Sequence, residues 1–203
     1  MEHKLHSQPL LTTHTVAKIG ILSAIAFVLM FFQVPLPFAP PFMQVDLSDV
    51  PSLIGAFAMG PIPGMLIVLL KNILHSIIQG SQTQFVGELS NFIVGSAFVM
   101  IASWIYHRNK SFRTAILGTI AGILVMSIVA TASNYFVVFP LYAAAFGLKI
   151  EVLVNMAAEL NGWVGGYESM MLFAVLPFNL VKGMIVGFAT MLLYKRVSPI
   201  LHK

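Results

Sequence analysis

Long apolar segments, separated by short polar or proline-rich stretches, make up most of this chain. Six of them are predicted to be membrane-spanning helices, at about residues 17–34, 49–60, 62–79, 85–106, 114–139 and 169–194. Most of these segments approach the length of about 20 apolar residues that a helix needs to cross a bilayer. The segment at 49–60 is the exception, because it is clearly shorter than the others.

The second and third segments belong to one apolar run, residues 50–70, which is interrupted by Gly60-Pro61-Ile62-Pro63-Gly64. A proline inside a helix removes a backbone donor and clashes with the preceding turn. The run is therefore either one kinked helix or two short helices joined by a tight turn. The hydrophobic pattern alone does not choose between them.

The positions of the basic residues make that choice. They are concentrated in the N-terminal segment with Lys4 and Lys18, the loop from Arg108 to Arg113, and the tail from Lys195 to Lys203. Cytoplasmic segments are enriched in Lys and Arg, so all three should lie on one side of the membrane. They do so if the run is broken at Pro61, because four spans then precede the loop and two follow it. We predict an all-α integral membrane protein of six transmembrane helices, with cytoplasmic termini and one membrane domain over 1–203.

The composition supports a membrane protein and excludes several kinds of chemistry. Hydrophobic residues make up 58% of the chain and charged residues 9%, with a mean hydropathy of +0.90, whereas soluble domains are about 25% charged. Cysteine is absent, which excludes disulfides and thiolate metal sites. The chain has neither a Gly-x-x-x-x-Gly-Lys-Ser/Thr phosphate loop nor a His-Glu-x-x-His zinc motif. We expect a protein of the lipid bilayer that is not an enzyme and binds neither metal nor nucleic acid.

Polar residues within the last two apolar segments predict a binding pocket. Asn179 and Lys182 are three residues apart and share a helical face, and an ionisable residue inside a membrane helix indicates a functional site. In the predicted topology Asn179 lies about 16 Å below the outer surface and Asn134 about 8 Å below it, at 1.5 Å per residue. The proline-rich loop at 33–48 is predicted to cover this pocket from outside as a lid.

These polar residues also have other interpretations. Asn134 could form a hydrogen bond to a neighbouring helix, a common role for Asn in a membrane. Lys182 could form a structural ion pair with Glu88, since a buried charge needs a partner. Lys71 and His75, four residues apart, could bind a ligand or pack near the proline break. A membrane enzyme that uses Lys182 and Glu88 as acid and base is another alternative, without a nucleophile motif to support it.

Several motifs, taken in order along the chain, resemble one family of membrane proteins. They are Asp46-Leu-Ser-Asp-Val-Pro51, Gly60-Pro61, Leu70-Lys-Asn-Ile-Leu-His75 with Ile78-Gln-Gly80, Ser133-Asn-Tyr-Phe136 and Pro177-Phe-Asn-Leu-Val-Lys-Gly183. The set is similar to the riboflavin-binding S components of energy-coupling factor (ECF) transporters. The resemblance extends over about residues 15–196.

The resemblance implies a six-helix membrane protein that captures riboflavin from outside, as a transported ligand rather than a cofactor. It also implies partners, namely a transmembrane coupling (T) subunit and two cytoplasmic ATPase subunits that supply the energy for import. The family docks its coupling subunit through paired alanines four residues apart on the first helix. Gly20 and Ala24 have this spacing here, with glycine in the first place.

The candidate residues fit the chemistry of a flavin. The pyrimidine edge of the ring alternates carbonyl acceptors with an N–H donor, and an Asn amide offers both a donor and an acceptor, whereas Lys offers donors only. The predicted substrate-binding polar residues are Asn134, Asn179, Lys182 and Glu88. The predicted apolar wall, supplied by the lid loop, consists of Phe42, Met43 and Leu47. The alternative is an S component for a different vitamin or related small molecule.

Overall fold

The computed structural model describes residues 12–201, so Lys4 and Lys203 of the charge argument lie outside the described residues. The helices are α1 (Thr13–Met30), α2 (Asp49–Met59), α3 (Pro61–Ile78), α4 (Val86–Arg108), α5 (Phe112–Ser133), α6 (Phe139–Phe146), α7 (Ile150–Ala158), α8 (Tyr167–Met170) and α9 (Leu176–Leu201). Five helical stretches of the described chain are long and apolar enough to cross a membrane, and α2 is a shorter apolar helix. The fold is therefore a helical membrane bundle.

The apolar run at 50–70 is divided into two helices at Gly60. This residue has a φ of +109°, a conformation that glycine adopts without strain, and Pro61 begins α3 directly after it. The two helices remain in close contact, because a Cβ atom on Gly64 would clash with Ala56. Local sequence therefore explains both the break and the tight packing beside it.

Two π-helical segments, Asn134–Val138 and Met171–Val175, each precede a proline-containing α-helix. In each segment a backbone hydrogen bond spans five residues instead of four. The Phe139 N–H donates to the Asn134 carbonyl, and the Leu176 N–H donates to the Met171 carbonyl. Pro140 and Pro177 then lie in the first turn of the following α-helix, where a missing N–H costs little.

The predicted span ends at residue 139, whereas this arrangement carries the helix past Pro140 to Phe146.

Glycines let the central helices come close together. A Cβ atom on Gly118 of α5 would clash with the Ala102 carbonyl of α4, and one on Gly122 would lie 2.9 Å from the Phe98 carbonyl oxygen. Gly187 of α9 likewise packs on Thr119 of α5. Small residues at such spacing are typical of tight helix pairs in membranes. These contacts set how α4, α5 and α9 are placed relative to one another.

The proline-rich segment 31–48 contains a short antiparallel ribbon, β1 (Val34–Pro35) and β2 (Gln44–Val45), with Val34 opposite Val45. Between the strands, Ala39 and Met43 are buried against the helices. The segment is thus packed on the bundle rather than extended into solvent.

Candidate functional site

A cavity of about 270 Å³ lies between the proline-rich segment and the facing ends of α3, α4, α6 and α9. Its volume is close to the lower limit of about 300 Å³ for small-molecule sites. Its lining includes Asn91, Asn134, Asn179 and Lys182 together with the aromatic rings of Phe42, Phe139, Tyr142 and Phe178. A cavity with an apolar wall and a few convergent polar groups is typical of small-molecule binding.

Asn134 and Asn179 both lie beside a π-helical segment and both line the cavity. Asn134 Nδ2 donates to the Ala130 carbonyl at 2.7 Å, and Asn179 Nδ2 donates to the Val175 carbonyl at 2.9 Å. These bonds run within each residue's own helix, so the neighbouring-helix alternative for Asn134 is not what the structure has. An amide has two donor hydrogens and an acceptor oxygen, so each side chain retains hydrogen-bonding capacity for a ligand.

Lys182 is buried, with 6% of the residue exposed, and it reaches the cavity from α9. Its Nζ lies 3.4 Å from Asn91 Oδ1 and 3.8 Å from Asp49 Oδ2. Sequence reasoning considered an ion pair between Lys182 and Glu88, whereas in the structure Lys182 lies near Asp49. Asp49 is the first residue of α2, where the predicted segment 49–60 begins. Its position beside α9 could not be predicted from the sequence.

Asp49 is shared between two lysines. Lys71 Nζ donates to Asp49 Oδ1 at 2.5 Å and to Ser48 Oγ at 2.6 Å, and all three residues are buried. A charge removed from water needs a partner of opposite sign with good hydrogen bonds, and Lys71 has both. The Lys71 side chain is therefore part of the charge cluster under the cavity, not a lining residue.

Glu88 also lines the cavity, and its recorded partners are Ser81, Thr83 and His75 rather than Lys182. Its Oε2 accepts hydrogen bonds from Ser81 Oγ at 2.9 Å and Thr83 Oγ1 at 3.0 Å, while Oε1 lies 3.6 Å from His75 Nδ1. Lys71 and His75, four residues apart on α3, therefore have different partners. Lys71 binds Asp49, and His75 lies near Glu88. In residues 12–201, no group of three His, Asp or Glu side chains could hold a metal ion.

The aromatic wall is formed by the proline-rich segment and α6. The Phe42 ring stacks on Tyr142 with centroids 5.3 Å apart and meets Phe139 edge-on at 5.9 Å. Met43 also lines the cavity. Leu47, predicted for this wall, is 40% exposed and is not among the described residues that line the cavity. Sequence reasoning missed Phe139 and Tyr142 because it ended the helix at Pro140.

Gly20 and Ala24 are not among the residues that line the cavity, and they lie on an exposed face of α1. A Cβ atom on Gly20 would meet no other atom within 4 Å. The packing of this chain therefore does not explain the small residue at position 20, and the face is open to a partner or to lipid.

Comparisons of the chain with a family model, with curated relatives and with solved structures all indicate the same family. A family model described as "ECF transporter, substrate-specific component" matches residues 14–194. The chain is 37% identical over 185 residues to the riboflavin transporter RibU of Staphylococcus aureus, covering 91% of this chain and 90% of the relative. It is 30% identical over 182 residues to the riboflavin transporter FmnP of Bacillus subtilis, with 89% and 90% covered. A solved structure of the S component of a bacterial ECF transporter superposes with a TM-score of 0.72 at 35% identity, covering 94% of this chain and 98% of that one.

Proposed function

This chain belongs to the family of substrate-specific components of ECF transporters, and from that premise we propose that it binds riboflavin for import across the cell membrane. The observation that carries the proposal is the cavity, in which two amides and a buried lysine face an aromatic wall. The apolar helices make it a multi-pass membrane protein. Riboflavin is then the transported ligand, and the protein works as a binding subunit rather than as an enzyme.

The two sides of the cavity match the two ends of the flavin ring system. Asn134, Asn179 and Lys182 offer the donors and acceptors that the carbonyl and N–H groups of the pyrimidine edge require. Phe42 and Tyr142 offer flat apolar surfaces for the ring, since offset aromatic stacking contributes beyond simple burial. In this arrangement Glu88, which also lines the cavity, can accept hydrogen bonds from the ribityl hydroxyls.

The proposed topology has six membrane helices, both termini in the cytoplasm and one membrane domain. At about 16 Å, α2 is shorter than the bilayer core of about 30 Å. Its residues from Asp49 to Phe57 are all buried in the bundle, so other helices rather than lipid surround it. The proline-rich segment then closes the cavity from outside as a lid.

Import requires energy that this chain does not supply, since it lacks an ATP-binding phosphate loop. The proposed partners are a transmembrane coupling subunit and two cytoplasmic ATPase subunits. The proposed docking face is that of Gly20 and Ala24 on α1, which is exposed and has room for a closely approaching helix.

A fluorescence titration tests the proposed ligand. The protein is purified in detergent, stripped of bound flavin and added to riboflavin. Riboflavin fluorescence should be quenched to saturation, because the ring stacks on aromatic side chains in the cavity. Thiamine and biotin should not compete. The proposal would be contradicted by a well-folded protein that leaves riboflavin fluorescence unchanged, or from which another vitamin displaces riboflavin.

A further inference from the structure

The charge cluster under the cavity is made of three buried side chains from three helices. Asp49 of α2 lies between Lys71 of α3 and Lys182 of α9, and these residues are 5%, 2% and 6% exposed. Two positive charges and one negative charge leave one positive charge unbalanced among them. Because a buried charge without a partner is costly, the presence of the second lysine needs an explanation.

The two lysines share the carboxylate unequally. Lys71 Nζ is 2.5 Å from Asp49 Oδ1 and has a second acceptor in Ser48 Oγ at 2.6 Å. Lys182 Nζ is 3.8 Å from Asp49 Oδ2 and 3.4 Å from Asn91 Oδ1, beyond the usual range of about 2.7–3.2 Å. Lys71 is therefore firmly bonded, whereas Lys182 is attracted to the carboxylate without a close bond to it.

We propose that Asp49 and Lys71 together are positioning residues for Lys182, holding its ammonium group at the cavity with a donor free for the ligand. This inference rests on the proposed riboflavin-binding function. Asp49 attracts Lys182 and offsets the repulsion between the lysines. Lys71 is hydrogen-bonded to the Asp49 carboxylate, so that Lys182 does not form a close ion pair with it. The ligand supplies an acceptor closer to Lys182 Nζ than Asn91 Oδ1 at 3.4 Å or Asp49 Oδ2 at 3.8 Å.

The surroundings keep Asp49 in one place. Asp46 Oδ1 accepts the Ser48 backbone N–H at 2.7 Å, which orders the chain just before α2. A Cβ atom on Gly95 of α4 would lie 3.2 Å from Asp49 Oδ1, so α4 passes directly beside the carboxylate. Glu88, the other carboxylate near the cavity, is already bonded to Ser81 and Thr83. Asp49 is therefore the carboxylate that acts on Lys182.

Binding measurements in two backgrounds test the proposal. The dissociation constant for riboflavin is measured by fluorescence quenching for the wild type, Asp49→Asn, Lys71→Met and the double variant, and again for each change combined with Lys182→Met. Asp49→Asn should weaken binding about tenfold or more, because the repelled ammonium loses a charged hydrogen bond to the ligand. Lys71→Met should also weaken it, because Asp49 then pairs fully with Lys182. The double variant should bind better than Asp49→Asn alone.

The Lys182→Met background separates positioning from a general structural role. There, Asp49→Asn should change the dissociation constant by no more than about twofold, the tolerance for independent changes. Equal losses in both backgrounds would overturn the proposal, as would a double variant weaker than either single one. If Asp49→Asn does not fold, the double variant, which buries no unpaired charge at these two positions, is compared in the two backgrounds instead. A wild type that fails to bind riboflavin would refute the proposed function, whereas binding unaffected by the variants would refute only this inference.

Discussion

The two halves of the bundle use the same helices in opposite ways. In the half that we call the cavity half, around Asn134, Asn179 and Lys182, polar side chains of α4 and α9 line the cavity. In the packed half, around Ala102 and Tyr194, backbones touch and hydrogen bonds are short. There Ser103 Oγ donates to the Ala56 carbonyl at 2.6 Å, and the hydroxyls of Tyr106 and Tyr194 are 2.7 Å apart.

The difference shows how a small bundle can hold a cavity without losing its shape. Gly118 and Gly122 fix the distance between α4 and α5, and Gly183 and Gly187 fix α9 against Ile123 and Thr119 of α5. Since helices are stiff rods, close packing at one end determines the separation at the other. The packed half thus sets the geometry of the site, and the cavity half supplies its chemistry. Mutations in the two halves should therefore affect different measurements.

The largest expected effect is on ligand affinity in the cavity half. Lys182→Ala should weaken riboflavin binding at least tenfold, because a hydrogen bond from a charged group contributes about 1.5–3 kcal/mol. Fluorescence titration measures the change. Lys149→Ala removes an exposed lysine and is the matched control, with no expected effect. An unchanged affinity in Lys182→Ala would remove Lys182 from the site.

The next effect is on stability in the packed half. Gly118→Val should lower the stability by about 1–3 kcal/mol, since the added side chain meets the Ala102 carbonyl and overpacked contacts must shift. The thermal midpoint in detergent measures this loss.

Gly20→Val is the matched control, because a Cβ there meets nothing within 4 Å. It should leave stability and riboflavin binding intact while reducing uptake in cells, where the coupling subunit must dock. Equal melting temperatures for Gly118→Val and the wild type would show that the packed half is not rigid.

A smaller effect is expected from the aromatic wall. Phe42→Ala removes one stacked and one edge-on aromatic contact, and such pairs contribute about 0.5–1.5 kcal/mol each. Riboflavin affinity should fall severalfold, because the ligand loses part of the aromatic wall, and the thermal midpoint should also fall, because both lost contacts are within the protein. Leu47→Ala, in the same segment but 40% exposed, should have no effect on affinity. The opposite ranking would place the ligand against the other end of the segment.

The smallest effect is expected from one hydroxyl group in the packed half. Tyr194→Phe removes the hydrogen bond to Tyr106, and a neutral hydrogen bond contributes about 1 kcal/mol. The thermal midpoint should fall slightly, and riboflavin affinity should not change. Tyr142→Phe, in the cavity half, is the matched control and should leave the midpoint unchanged. A loss of affinity in Tyr194→Phe alone would show that the halves are coupled more tightly than their packing suggests.

Much of the fold could be predicted because it depends on neighbours in sequence. The glycines and prolines within an apolar run indicate a kink or a break near Gly60, and the positions of the basic residues select the break. The shared face of Asn179 and Lys182 follows from helical spacing. The extension of the helix beyond Pro140 could not be predicted in this way. Proline usually ends a helix, but here the π-helical segment before it accommodates the ring.

Several of the predicted site residues line one cavity, but their contacts could not be predicted from the sequence. The cavity is lined by Asn134, Asn179, Lys182 and Glu88 together, all chosen because polar groups in apolar helices are costly. Leu47 was chosen by proximity in sequence, and the structure turns it toward the exposed side. Phe139 was missed because it lay at the end of a predicted span.

By itself, the sequence determined which segments are apolar helices, where they break and which polar side chains must be buried, since these depend on local spacing and on the cost of polar groups in lipid. Only the tertiary structure decided that Lys182 lies beside Asp49 rather than Glu88, and that Lys71 takes the closer bond. The physical reason is that a buried charge interacts with whatever packing places within a few ångströms. That depends on how α2, α3 and α9 meet, and not on their order along the chain.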